Sequence, residues 1–333
     1  MDLSVSYIPP HQPQHIETDM KYLKGIGCTD VLCALQENHF VWLSGAVKYS
    51  AQIAKENGLN PRAVLWGYAN TSGGGRSSAV MLKNPDIWRC DANGDSYLND
   101  NEFGPQACYN NPRTAILYRE YVEQIWDNGF TEVMIDEPSP QKCFCKYCKE
   151  KFAQRYKNDL VNSIHSEAYK EFQQRTVIDF AIVSSRTVKS VSEKCKVSIA
   201  IMPVDRPLFE SMAAIPEIDV FAIDPYWLRP VNELSFDDAV KVSLDAHIIA
   251  RNNHKKFELY LGCFGIAGGQ GLEEKIYSEG KILVQKSLPD VLTTWSFRGG
   301  LGLRKKPEEC DNPKLAWDNV VKLYRELQEK DSL

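Results

Sequence analysis

Three thiols stand within six residues in Cys143-Phe144-Cys145-Lys146-Tyr147-Cys148. Cysteines this close cannot readily form unstrained disulfides with one another. They can converge on one tetrahedral Zn2+, which takes thiolates at ~2.3 Å. Cys108 is the natural fourth donor and Cys90 its rival. Four thiolates leave no open coordination position, so such a zinc is expected to be structural rather than catalytic. A second pattern starts at Asp91. Counted from it, Asn93, Asp95 and Glu102 fall at the third, fifth and twelfth positions of a calcium-type loop, which could hold a structural Ca2+. Ser96 departs from that pattern at the sixth position, where the sharp turn takes glycine.

Val133-Met134-Ile135-Asp136-Glu137-Pro138 sets two carboxylates side by side at the end of an apolar run. Like charges in contact raise the pKa of one of them, which suits a proton donor. Cleaving a glycosidic bond needs two carboxyl groups, one to protonate the leaving oxygen and one to attack carbon or activate water. Glu137 is the candidate acid. Asp224, in Ile223-Asp224-Pro225-Tyr226-Trp227, is the candidate partner, with Glu37 the other option. Around them, Glu37, Asn38, Trp66, Asn70, Asp136, Tyr226, Trp227, Trp295 and Arg298 are candidate substrate-binding residues, because each falls at or just after a predicted strand. Flat aromatic faces stack well on the C–H faces of pyranose rings. Trp42, Trp126 and Trp317 sit at helical spacing and read as core.

These groups need a scaffold. Apolar runs at 3–8, 31–35, 63–68, 132–135, 197–202, 220–223, 257–261 and 291–295 alternate with helical patterns. The helical patterns cover 16–25, 41–57, 114–128, most of the stretch to 194, then 208–214, 236–251, 272–286 and 314–328. Strands separated by helices pair in parallel, since the return crossover needs a helix. Eight such units predict an α/β fold, a single-domain (β/α)8 TIM barrel over 1–333, with a long insertion at about 71–112 between strands three and four. That insertion, with Trp88 and Cys108, is expected to wall the pocket. The turn Pro9-Pro10-His11-Gln12-Pro13 cannot cradle a pyrophosphate, which argues against a doubly wound sheet. Barrels of this kind carry their functional groups where strands end, which gathers the carboxylates and aromatics at one mouth.

Cys108 ahead of a helix, a strand ending in Glu137, then Cys143-x-Cys145-x-x-Cys148 and Phe152 together resemble the barrel domain of glycoside hydrolase family 42. The resemblance spans roughly residues 105–156. It implies a β-galactosidase-type glycosidase in which a four-cysteine zinc site surrounds an acid/base glutamate, here Glu137. The family usually has a sugar-contacting asparagine before that glutamate; here it is Asp136. The family's second catalytic glutamate ends strand seven, but Leu259-Tyr260-Leu261-Gly262-Cys263-Phe264-Gly265 carries no carboxylate. Glu258 comes too early in the strand. The double-displacement route therefore does not carry over. A pair drawn from strands four and six is expected to leave the ~6.5–9.5 Å that an inverting enzyme gives its water. Family members also continue past the barrel into further domains.

Composition narrows the partners. The 333 residues are 43% hydrophobic and 25% charged, which sets disorder aside. With 39 basic against 44 acidic residues and no basic run, neither nucleic acid nor an anionic membrane is an expected partner. A small carbohydrate is. No stretch reaches the ~18 apolar residues of a membrane span. The first ten residues read as a strand rather than a secretory leader, so the ten cysteines suggest metal binding in a cytoplasmic protein. Two other readings compete. Gly268-Gly269-Gln270-Gly271 and Arg298-Gly299-Gly300 could bind phosphate in an isomerase- or aldolase-type barrel, although no lysine ends a strand for Schiff-base chemistry. The missing strand-seven carboxylate would also suit a non-catalytic carbohydrate-binding barrel.

Overall fold

The computed structural model describes residues 1–71, 78–96, 105–299 and 310–331. The strands are β1 (Asp2–Tyr7), β2 (Asp30–Leu35), β3 (Asn60–Leu65), β4 (Glu132–Asp136), β5 (Lys196–Ile201), β6 (Val220–Ile223), β7 (Lys256–Gly262) and β8 (Val291–Trp295). They pair in parallel and in chain order, and β8 returns to β1 with Asp2 opposite Val291, closing the predicted eight-stranded barrel. Both faces of these strands are covered, which explains why they read as near-continuous apolar runs.

Local signals set the helices around the barrel. Pro112 opens Pro112–Asp127, where the missing N–H costs nothing, and the Asn111 side chain accepts from Arg113 N–H at 3.0 Å. Ser166 and Ser235 cap Glu167–Val191 and Phe236–Asn252 in the same way. The pattern at 41–57 resolves into two helices, Glu37–Val41 and Ser44–Glu56, with the break at Trp42. Trp42 is therefore 80% exposed and not core as its spacing suggested, whereas Trp317 is buried. The stretch after β4 likewise splits, into Lys146–Tyr156 and Glu167–Val191.

The strand period of two sorts the side chains into layers. Odd positions such as Val5, Val31, Cys33, Ala63, Val133 and Ile199 join the core between barrel and helices. Even positions such as Leu32, Ala34, Val64, Met134, Ala200, Ala222 and Tyr260 form a separate cluster inside the barrel. Below that cluster the interior is ionic. Arg62 Nε donates to Glu132 at 2.8 Å, Arg62 Nη1 donates to Glu258 at 2.9 Å, and Thr293 also donates to Glu258. Arg62 is 2% exposed and Glu258 fully buried. This accounts for β3 running Asn60–Leu65 rather than 63–68: Asn60, Pro61 and Arg62 look unlike strand residues, yet the arginine is held inside by two glutamates.

Candidate active site and thiol cluster

At the C-terminal ends of the strands, Trp66, Asp136, Glu137, Asp224, Tyr226 and Trp295 surround a cavity of about 160 Å³. Met134, Ala200 and Tyr260 also line it, as do Met202, Arg229, Asn232 and Phe264. The volume suits one ring-sized group and is well below the ~300–1,000 Å³ of sites for drug-sized ligands. Trp66 and Trp295 meet edge to face with centroids 5.4 Å apart, and Tyr226 and Phe264 do the same at 5.1 Å.

Asp136 and Asp224 point inward as even positions continuing the interior layers of β4 and β6. Glu137 is odd and would face the helices if the strand ran on. Its φ of 41°, in the left-handed region that non-glycine residues rarely adopt, turns it into the mouth instead. Its N–H still bonds Ala200 O at 3.1 Å, so the turn is anchored to β5. Burial first, then the Glu137 charge, push Asp136 well above the usual carboxylate range. The same two causes raise Asp224, and its hydrogen bond with Glu137 adds to them. Asp205, beyond β5, is also raised by burial and by Glu137.

That contact changes one expectation. Glu137 acts on Asp224 both by its charge and by hydrogen bonding, a closeness that does not suit the wide gap expected between a strand-four and a strand-six carboxyl. The parity of Asp224 and the left-handed turn at Glu137 aim both groups at the same point. If both are ionised, neither oxygen of Asp224 has a donor among the described residues, and neither does Asp136 Oδ2. A proton held on Asp224, which burial and the Glu137 charge favour, turns that carboxyl into a donor. A carboxyl held neutral by its surroundings binds more protons folded than unfolded, so stability should fall as pH rises above the ordinary carboxylate range. Asp224→Asn is therefore expected to stabilise the fold at pH 7 by about 1–2 kcal/mol, with the gain shrinking toward pH 4. Thermal melts across that range measure it; a destabilised variant at pH 7 would contradict it.

Several predicted residues lie elsewhere. Glu37 is buried and accepts from Ala69 N–H at 2.9 Å, Ser78 Oγ at 2.7 Å and Val80 N–H at 3.0 Å, so it pins the chain after β3 and does not line the cavity. Asn38 is exposed on the adjoining short helix. Trp227 turns outward, donating to Glu279 at 2.6 Å and packing on Phe236. Arg298 pairs with Asp19 at 3.1 Å and lies against Phe297. Asn70 closes the short turn Tyr68–Asn70. None of the described residues of the 71–112 insertion lines the cavity; Trp88 donates to Met81 O there. Sequence reasoning missed Arg229, Asn232, Tyr260 and Phe264. Tyr260 was readable from strand parity, but the others sit on irregular loops with no such signal.

Gly262, at the end of β7, has no room for a side chain. A Cβ there would come within 2.9 Å of Tyr226 Cδ1, so the ring occupies the space a side chain would need.

The thiols converge as the spacing required. Sulfur atoms of Cys108, Cys143, Cys145 and Cys148 all lie within 4.8 Å of one another, with Cys108 3.5 Å from both Cys145 and Cys148. Tetrahedral ligands at ~2.3 Å would stand about 3.8 Å apart, so four sulfurs already have the spacing one ion needs. Hydrogen bonds among the thiols draw Cys143 and Cys145 below the usual thiol range and push Cys108 above it. Cys90 is outside the set; it contributes its carbonyl to Phe144 N–H at 2.8 Å. Gln141 ties the cluster's loop to the β3–β4 connection through Tyr109 N–H and Ala107 O. At the calcium-type pattern, Asp91 Oδ1 accepts from Asn93 and Asp95 N–H groups and caps its own turn, with Asp95 exposed. Glu102 lies outside the described residues.

Among the described residues, no helix is long and apolar enough to cross a membrane. No protein-family model matches the chain, and no curated protein matches it. Solved structures do. A β-galactosidase from the psychrophilic Marinomonas ef1 superposes with a TM-score of 0.75 at 12% identity, covering 100% of this chain and 61% of that one. A β-galactosidase from Bacillus circulans sp. alkalophilus gives 0.68 at 15%, covering 99% and 56%. An endo-1,4-β-mannanase from Rhizomucor miehei gives 0.61 at 13%, covering 99% and 94%. The chain thus spans about three-fifths of the β-galactosidases' length, and the likeness is one of barrel fold.

Proposed function

We propose that this barrel hydrolyses a glycosidic bond in a small carbohydrate, with Glu137 as general acid and Asp224 as its partner. The observation that carries the reading is the meeting of three carboxyl groups in one aromatic-walled cavity at the barrel mouth. Glu137 is the most exposed of the three and so the one able to meet a leaving-group oxygen, while Asp224, 3% exposed, lies behind it and shares its proton. Once the proton has left, the remaining carboxylates face a positively charged, oxocarbenium-like centre, which they stabilise in a water-poor site. The water that completes hydrolysis then returns a proton to the Asp224–Glu137 pair. The barrel's likeness to β-galactosidases and a mannanase supports the same reaction class.

The phosphate reading fits less well. Among the described residues of the lining, three carboxyl groups face one guanidinium, Arg229, and Arg298 is engaged with Asp19. A screen of aryl α- and β-glycosides tests the proposal. Turnover of at least one is expected; none, from folded protein that still binds sugar, would favour a binding barrel.

The four-thiol set is proposed to hold one structural zinc. It would fasten Cys108, on the β3–β4 connection, to the loop that follows Glu137. Metal analysis should give one zinc per chain for the wild type and for Cys90→Ser, and none for Cys143→Ser. Removing the metal with a chelator should lower the melting midpoint by roughly 5–10 °C. An unchanged midpoint and metal-free wild type would refute the site.

A further inference from the structure

The glycosidase reading accounts for two carboxyl groups, one giving a proton and one receiving it. Among the described residues, the cavity holds three. The surplus is Asp136, 7% exposed, lining the cavity, with Oδ2 lacking a donor among the described residues. Among the described residues, Arg229 is the one guanidinium of the lining, and it lies 4.3 Å over the Phe264 ring. Like charges this crowded and this buried need a cation or protons. A bare divalent ion fits poorly, since among the described residues only the cysteines bring three or more ligand atoms within 4.8 Å of one another. An organic ammonium does not require oxygens that close. It would find carboxylates on one side and the aromatic pairs Trp66–Trp295 and Tyr226–Phe264 around it, the surroundings that hold ammonium ions by cation–π attraction.

We propose that the cavity takes an amino sugar, a glycoside bearing a free, protonated primary amine, and that Asp136 is the residue that receives this amine. The inference rests on the glycosidase reading for the reaction but not for the recognition. A neutral sugar could offer hydroxyl donors to Asp136, but it would bring no positive charge to the crowded carboxyl groups; the ammonium donates and neutralises at once. N-acetylation removes that charge and adds bulk in a cavity of about 160 Å³.

The test compares p-nitrophenyl D-glucosaminides and D-galactosaminides with their N-acetylated and 2-hydroxy counterparts. Wild type is expected to favour the free amine by about 10- to 150-fold in kcat/KM, the range for a hydrogen bond to a charged group. Asp136→Asn should bring that ratio close to one, a change of selectivity that a merely structural role would not produce. Equal or better turnover of the neutral sugars overturns the inference while leaving the glycosidase reading intact. If nothing turns over, calorimetry with D-glucosamine and D-galactosamine against D-glucose and D-galactose decides. Amine-selective binding lost in Asp136→Asn upholds the inference and sinks hydrolysis; no selectivity overturns it. Binding of MgCl2 or CaCl2 that displaces the amines would assign the site to a metal instead, and overturn it too. Should Asp136→Asn fail to fold, wild-type selectivity over the same panel still decides.

Discussion

Glu137→Gln is expected to lower kcat/KM for an alkyl glycoside by about 10²- to 10⁴-fold, the usual contribution of a positioned general acid. Glutamine keeps the shape and can still donate a hydrogen bond, but it cannot release a proton to the leaving oxygen. The loss should therefore follow the leaving group. An alkoxide needs the proton and suffers fully; dinitrophenolate departs without one and should lose far less. The comparison isolates the acid from any disturbance of folding or binding, since both substrates would suffer alike from those. Equal losses on both substrates would remove Glu137 from the acid role. Asp224→Asn should reduce activity as well, by breaking the shared proton, yet it is the variant expected to be more stable at neutral pH. Opposite signs for stability and activity at one residue mark a group retained for function.

Arg62→Leu is expected to have the largest effect on the fold, a loss of about 3–5 kcal/mol, because it strands two buried carboxylates without a cation. Glu132 and Glu258 both bond the guanidinium, and Glu258 is fully buried. Leucine supplies neither charge nor donor. The cost is one of leaving charges unpaired rather than of losing a stabilising pair, so replacing all three residues with apolar ones of similar volume should recover much of it. Denaturant titration of the single and triple variants measures this. A single variant with an unchanged midpoint would contradict the account, and so would a triple variant weaker than the single one.

Much of the barrel was legible because parallel strands covered on both faces leave a plain signal, an apolar run between helical patterns. The boundary of β3 was not, since Pro61 and Arg62 disguise its first turn and the arginine's partners lie on β4 and β7, far away in sequence. At the site, Asp136, Asp224, Trp66 and Trp295 followed from their places at strand ends. Period-two parity alone would have turned Glu137 away from the mouth, and a single left-handed residue reverses it. Tyr226 and Trp227 looked equivalent as neighbours, but successive side chains diverge, so one lines the cavity and the other meets Glu279. Glu37 and Arg298 do not line the cavity; each is held by partners, backbone amides for one and Asp19 for the other, that no local pattern shows. Cys108 was separable from Cys90 only in three dimensions.

The contact between Gly262 and Tyr226 also bears on how this site can change over generations. A carboxylate at the end of β7 would supply the nucleophile that a covalent mechanism needs, but even a methyl at that position meets the tyrosine ring at 2.9 Å. Shrinking Tyr226 alone would strip one wall from the cavity before any nucleophile arrived. A side chain at position 262 and a tyrosine at 226 therefore exclude each other in this packing, so the two positions can change only together.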